Sequence, residues 1–417
     1  MAQVGPGVPH GGAARSDHRT DPAPGGSQTP GSEPPQPPPG YLDAASTLPL
    51  HPAARESLAS ALDLGWADPA RRYHDAARAR ALLDAARESV AAVLRARPDE
   101  VSFTASGTQA VQLGLAGLVL GRRRQGRRVL ATAVEHSSVL HAATASVADP
   151  AHAVHLPVDR DGALVVAALE EALGEGDVAL AAVQSANHEV GTRQPLTAAA
   201  DLLEPAGVPL LVDAAQSVGR DDVPARWSVL AASAHKWGGP AGVGVLAVRT
   251  GVRWRSPSPE GALEHGRVPG FVDVPSVVAA AAALEAVERE RQAESVRLAR
   301  LVDRVRDRVA AEVPDAVVLG HPVDRLPHVV TFSLLYVEGE ALLADLDRAG
   351  FAVSSGSSCV ADSLQPSHVL AAMGALTHGN LRVSLPPGVR EDDVDRFLAV
   401  LPAVVERVRA SLGAQGL

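Results

Sequence analysis

The chain predicts an α/β protein, with a mostly parallel seven-stranded sheet in a large domain and a smaller α+β domain at its C-terminal end. Two observations carry this. Between residues 101 and 248, short apolar runs alternate with stretches of helical character, the pattern of strands buried on both faces and covered by helices. After a long Ala- and Arg-rich helical stretch, Val274 to Val313, the pattern changes to strands and helices of mixed order.

Residues 1–40 are rich in Pro, Gly, Ser and Thr and have little to bury, so a disordered tail is expected there. Order is expected from Tyr41-Leu-Asp-Ala-Ala-Ser46, with helices from Pro52 and from Arg71 to Ala96. The expected strands of the large domain, residues 41–285, are Val101–Phe103, Arg128–Ala131, Ala153–Leu156, Val178–Val183, Pro209–Val212, Val229–Ala232 and Val243–Val248. Helical stretches at Ala110–Leu120, Val139–Ala148 and Leu164–Leu173 separate several of them. The small domain, residues 286–417, is expected to hold strands at Val317–Leu319, Val329–Leu335, Ala352–Ser354 and Asn380–Ser384, with helices from Gly339 and Glu391.

Bulk properties narrow the function. At 417 residues the chain fits two domains at about 100–200 residues each. A net charge of -10 argues against nucleic-acid binding, which needs a basic face, and Arg122 to Arg128 reads as a solvated link. No apolar run reaches the ~18 residues of a membrane span, and no secretory signal is seen. The single cysteine, Cys359, excludes an intrachain disulfide or a cysteine-based zinc cluster, and no metal site is expected. A reducing, cytoplasmic setting follows.

The chemistry gathers where strands end, the usual place for ligands in open α/β sheets. Ser233-Ala-His-Lys236 puts a lysine where a strand runs into a glycine-rich turn. Burial there lowers a lysine's pKa and frees its amine to attack an aldehyde. Leu211-Val-Asp213-Ala-Ala-Gln216 ends another strand with a carboxylate suited to a pyridinium nitrogen, and Gln216 could donate to a ring oxygen. Thr104-Ala-Ser-Gly107-Thr108 joins a strand to a helix, a ready anion site, although Ser-Gly-Thr is also an ordinary helix cap. Ser233 and His235 add phosphate-binding groups, and His136 could stack on a flat ring or be a plain loop histidine. Together these point to pyridoxal 5'-phosphate. Cys359 sits in the Gly/Ser loop Ser354 to Ser363, where exposure favours reactivity. Arg382 could clamp a substrate carboxylate.

In order along the chain, Tyr41-Leu-Asp-Ala-Ala, Phe103-Thr-Ala-Ser-Gly-Thr, Glu135-His136, Asn187-His-Glu-Val-Gly-Thr, Val212-Asp-Ala-Ala-Gln-Ser-Val-Gly, Ser233-Ala-His-Lys, Val337-Glu-Gly-Glu, Ser354-Ser-Gly-Ser-Ser-Cys, Gln365-Pro-Ser-His-Val-Leu and Arg382-Val-Ser-Leu resemble the cysteine desulfurases of the fold-type I, class V aminotransferase superfamily. The resemblance runs from Tyr41 to about Arg409. It implies that Lys236 binds the cofactor aldehyde and moves protons, Asp213 pairs with the ring nitrogen, Gln216 with the ring oxygen, and His136 stacks on the ring. Gly107, Thr108, Ser233 and His235 would hold the phosphate, and Asn187, His188 and Arg382 would lie at cofactor or substrate. Cys359 would take sulfur from L-cysteine as a persulfide and pass it to an acceptor such as an iron–sulfur scaffold, in a homodimer. Lys236, Cys359 and His136 are thus the catalytic candidates. The sequence departs from the family at His188, where asparagine is usual, at Val268-Pro-Gly-Phe271, where a threonine is usual, and at Gln109, where glutamate is usual. Another class V enzyme (selenocysteine lyase, C–S lyase or aminotransferase) and a non-catalytic scaffold are the alternatives.

Overall fold

The computed structural model describes residues 36–258, 264–355 and 366–413. The seven apolar runs form one sheet. Its strands are β1 (Val101–Thr104), β2 (Arg128–Thr132), β3 (Ala153–Leu156), β4 (Val178–Ala182), β5 (Leu210–Asp213), β6 (Val229–Ser233) and β7 (Gly244–Val248), in the order β1-β7-β6-β5-β4-β2-β3. Neighbours from β6 to β3 are parallel, while β7 runs antiparallel to both β6 and β1. The link from β6 to β7 is too brief for a crossover helix, so the chain returns antiparallel.

Helices cover both faces. They are α1 (Pro52–Leu64), α2 (His74–Val93), α3 (Gly107–Arg122), α4 (Ser137–Ser146), α5 (Val166–Gly174), α6 (Leu196–Leu203) and α7 (Val274–Glu312). Side-chain alternation along each strand decides which helix it meets. Leu211 and Ala231 pack with Ala110, Leu115 and Val139 of α3 and α4. Their neighbours Val212, Leu230 and Ala232 pack on the opposite face with Leu83, Leu169, Leu203 and Leu284 of α2, α5, α6 and α7. The apolar composition with few aromatics works because Ala, Val and Leu fill both layers.

The small sheet is antiparallel, ordered β10-β9-β8, from β8 (Ala316–Leu319), β9 (Val329–Leu334) and β10 (Asn380–Ser384). Its core takes Leu298 to Val309 of α7, Leu342 and Leu346 of α8 (Gly339–Arg348), and Phe397, Leu401 and Val405 of α10 (Glu391–Ser411). A short helix, α9 (His368–Ala372), packs elsewhere, against Val134 and Val190. The first part of α7, Val274 to Val287, belongs to the core of the large sheet, so one continuous helix serves both sheets, and residue 285 lies within it.

The strand expected at Ala352–Ser354 is not formed. Ala352 makes an isolated bridge to Tyr41 and Ser354 one to Arg382. The N-terminal segment occupies that edge instead: Leu42 N–H donates to Ala352 O at 2.9 Å and Ala44 N–H to Ser384 O at 3.0 Å. Residues 37–40, assigned to the tail by composition, include a turn in which Tyr41 N–H donates to Pro38 O. Among the described residues no helix is long and apolar enough to cross a membrane.

Candidate functional site

A cavity of about 420 Å³ opens at the carboxyl ends of the parallel strands. Its wall includes Gly107, Thr108, His136, His188, Asp213, Gln216, Ser233, His235 and Lys236. The structure therefore brings together every cofactor-binding residue expected from sequence.

Each reaches the cavity for a local reason. Ser106 caps α3, accepting from Gln109 N–H at 3.1 Å, and Gln109 Oε1 in turn accepts from Ala105 N–H at 2.7 Å. Gln109 thus does the capping work a glutamate would do there. Gly107 lets the start of α3 lie against β6, since a Cβ on it would sit 2.8 Å from the Ser233 Cβ. The amides of Gly107 and Thr108 belong to the first turn and have no partner within the helix. The hydroxyls of Thr108 and Ser233 make no hydrogen bond among the described residues. This end of the cavity is a set of unspent donors at a helix N-terminus, suited to an anion.

His136 caps α4. Its Nδ1 accepts from Ser138 N–H at 3.2 Å and lies 2.8 Å from Ser138 Oγ. An amide can only donate, which assigns the proton of the neutral ring to Nε2. Asp213 ends β5, and its Oδ1 accepts from Ala215 N–H at 2.9 Å. Burial pushes its carboxyl above the usual range, opposed by His136, the Ala215 hydrogen bond and Lys236. Beyond β6 a single 3₁₀ turn, Ala234–Lys236, turns the lysine inward. Its Nζ donates to Ala45 O and, at 2.8 Å, to Ser46 O. Gln216 Nε2 donates to the same Ala45 O at 3.0 Å. His235 is pushed down to about 4 by burial and the neighbouring Lys236.

The expected substrate residues divide. His188 lines the cavity, but Asn187 does not: it is fully buried and its amide is used on backbone. Asn187 Nδ2 donates to Val134 O, and Oδ1 accepts from Glu189 and Val190 N–H. Arg382 stands just behind the wall. It donates to His188 O at 2.9 Å and to Ser46 Oγ and Asp43 Oδ1, each at 2.7 Å. Cys359 and Gln365 lie outside the described residues. Phe271 is 67% exposed, beside a separate cavity of about 150 Å³ shared with Gln109, Gly242 and Glu264.

Three features escaped the sequence. The carbonyls of Ala45 and Ser46 hold the lysine, and a carbonyl has no residue signature. Gln184 lines the cavity, its amide donating to Val134 O. Glu135 lies beneath the wall, fully buried, accepting from Thr132 Oγ1 at 2.6 Å and Gln184 N–H at 2.7 Å, and burial raises it to about 8. Its place in the Glu135-His136 pair was the available signal.

The family model for class-V aminotransferases matches residues 40–397. The chain is 40% identical over 390 residues to an IscS-like cysteine desulfurase of Mycobacterium tuberculosis, covering 90% of this chain and 99% of that one. It is 34% identical over 376 residues to cysteine desulfurase IscS 1 of Archaeoglobus fulgidus, covering 89% and 98%. Among solved structures, a NifS-like protein superposes with a TM-score of 0.80 at 26% identity, over 87% of this chain and 98% of that one. DndA from Streptomyces lividans gives 0.70 at 29% identity, over 84% and 100%.

Proposed function

The chain belongs to the class-V aminotransferase family, and on that premise we propose that it is a pyridoxal 5'-phosphate-dependent cysteine desulfurase, turning L-cysteine into L-alanine and handing the sulfur to an acceptor. The observation that carries this reading is the convergence of Lys236, Asp213 and the unspent donors at the start of α3 on one cavity.

The residues present fit the cofactor. Thr108 and Ser233, with the first amides of α3 and His235, would hold its phosphate. Among the described residues Asp213 accepts a hydrogen bond from the Ala215 amide and none from a cation, and a protonated ring nitrogen would bring an opposite charge directly onto its buried carboxyl. Gln216 would face the ring oxygen and His136 the ring plane. When bound, the cofactor supplies an electron sink conjugated to the substrate's α-carbon.

The chain's own groups do the rest. Lys236 is the residue that would hold the aldehyde, on leaving the Ala45 and Ser46 carbonyls, and its amine would take the α-proton of the substrate. Arg382, one layer behind the wall, would reach the substrate carboxylate only by leaving Ser46 Oγ and Asp43 Oδ1. The Cys359 thiolate attacks the substrate's sulfur: an S–S bond forms, the C–S bond breaks, and its electron pair stays with the carbon fragment, which takes up a proton and leaves as alanine. The sulfur remains on Cys359 as a persulfide until the acceptor takes it. The described flanks of residues 356–365 support this, because each is bonded to a residue next to His188, which lines the cavity. Arg382 N–H donates to Ser354 O at 2.7 Å, and Ser367 Oγ donates to Glu189 Oε2 at 2.6 Å. The same reading makes the protein a cytoplasmic homodimer that feeds an iron–sulfur scaffold or another thio-cofactor acceptor.

Equal yields of alanine and sulfide from L-cysteine with a reductant, lost in Cys359→Ser, test the reading. A keto acid in place of alanine would make the chain an aminotransferase instead.

A further inference from the structure

His188, the departure from the family's asparagine, is held on three sides. Asn187 Oδ1 accepts the amides of Glu189 and Val190, at 2.8 and 2.9 Å, and so fixes the turn that presents it. Arg382 Nη1 donates to its carbonyl oxygen at 2.9 Å. Its ring meets the ring of His136 edge-on, with centroids 5.2 Å apart and planes at 71°, the arrangement aromatic pairs favour.

His136 is pinned on another edge by its cap on α4, through Ser138 N–H and Ser138 Oγ. One ring thus sits between a helix cap and a second imidazole. That second imidazole is uncharged. Burial, then His136, Arg382, His368 and Lys236, hold it well below the ordinary histidine range, while the nearest carboxylate oxygen, Glu189 Oε1, is 3.7 Å from Nε2. An uncharged ring edge can serve as a wall for the His136 ring.

We propose that His188 is a positioning residue for His136: its ring edge holds the His136 plane toward the cofactor, and its backbone carbonyl links that plane to Arg382. Asparagine has no ring to offer in this contact. The proposal rests on the reading of this cavity as the cofactor site, since His136 must face a ring for its plane to matter. It predicts that the ring, not the ring nitrogens, is what position 188 contributes.

The variants His188→Ala, His188→Asn and His188→Phe separate these contributions, with melting temperature as the check on folding. In the cofactor-free protein, NMR should show one sharp set of His136 ring signals in the unaltered chain and in His188→Phe. Those signals should broaden or double in His188→Ala and His188→Asn. In the loaded enzyme, kcat for L-cysteine should fall roughly 3- to 10-fold in His188→Ala and His188→Asn, with KM little changed, and His188→Phe should recover much of the loss. A sharp His136 signal and full kcat in folded His188→Ala would overturn the proposal. So would a folded His188→Phe that behaves like His188→Ala. If the unaltered chain bound the cofactor but did not turn over L-cysteine, the desulfurase reading would fall, and the NMR comparison would still decide the role of His188.

Discussion

The Nζ of Lys236 donates to the carbonyl oxygen of Ser46 at 2.8 Å, joining the end of β6 to the N-terminal segment that is itself bonded to β10. An aldehyde that reacts with this amine must first displace it from Ser46 and Ala45. Lys236→Ala should therefore abolish the visible absorbance band of the protein-bound cofactor, with the melting temperature of the cofactor-free protein as the check that it still folds. A borohydride-reducible band surviving in Lys236→Ala would move the reactive amine elsewhere.

The anion end of the cavity depends on donors with no partner among the described residues. Each hydrogen bond to a charged group is worth about 1.5–3 kcal/mol, or about 10- to 100-fold in affinity. Thr108→Val and Ser233→Ala should each weaken cofactor binding on that scale, read as the dissociation constant from fluorescence titration. Binding unchanged in both would place the phosphate elsewhere.

Gly107 has an ordinary helical backbone, and what it lacks is a side chain. An added Cβ would lie 2.8 Å from the Ser233 Cβ, closer than such atoms approach. Gly107→Ala should force α3 away from β6, cost about 1–3 kcal/mol in chemical denaturation, and weaken cofactor binding as well. Wild-type values for both would show that α3 does not need this approach.

Much of the fold was legible and one part of it was not. Seven strands were readable because each is a short, largely apolar run bounded by helical or glycine-rich sequence, and all but the edge strand β3 are almost wholly buried. The direction of β7 was not, since an apolar run reads the same along either direction of a buried strand. Ala352–Ser354 looked like a strand by composition, but Ala352 pairs with the N-terminal segment and Ser354 with Arg382, contacts that composition does not carry. In the site, side chains with distinctive chemistry such as Lys236 and Asp213 were readable. Residues whose work is to hold backbone were not. Asn187 was expected at the substrate and instead shapes the turn beneath His188; Arg382 was expected to touch the substrate and stands one layer back.

Glu135 gives a pH dependence with a definite sign. Burial raises its folded pKa to about 8, from an ordinary value near 4.5. Between those values the folded chain binds the proton and the unfolded chain has released it. The stabilisation is complete below about 4.5 and is lost as pH rises through about 8, at up to about 1.4 kcal/mol per pH unit. Glu135→Gln, which keeps the acceptor for Thr132 and Gln184, should remove that slope, so that the stability of the two proteins differs least at low pH and diverges above it. Parallel curves from pH 5 to 8 in denaturant titrations would contradict a proton held on Glu135.

The central claim is that sulfur leaves L-cysteine in the Lys236 cavity and lands on Cys359. Incubation of the cofactor-loaded protein with L-cysteine, followed by intact-mass measurement and peptide mapping, tests it most directly. The account predicts a species heavier by one sulfur atom, located on Cys359, removed by reductant and absent from Lys236→Ala. An unmodified Cys359 in protein that is producing alanine and sulfide would contradict it.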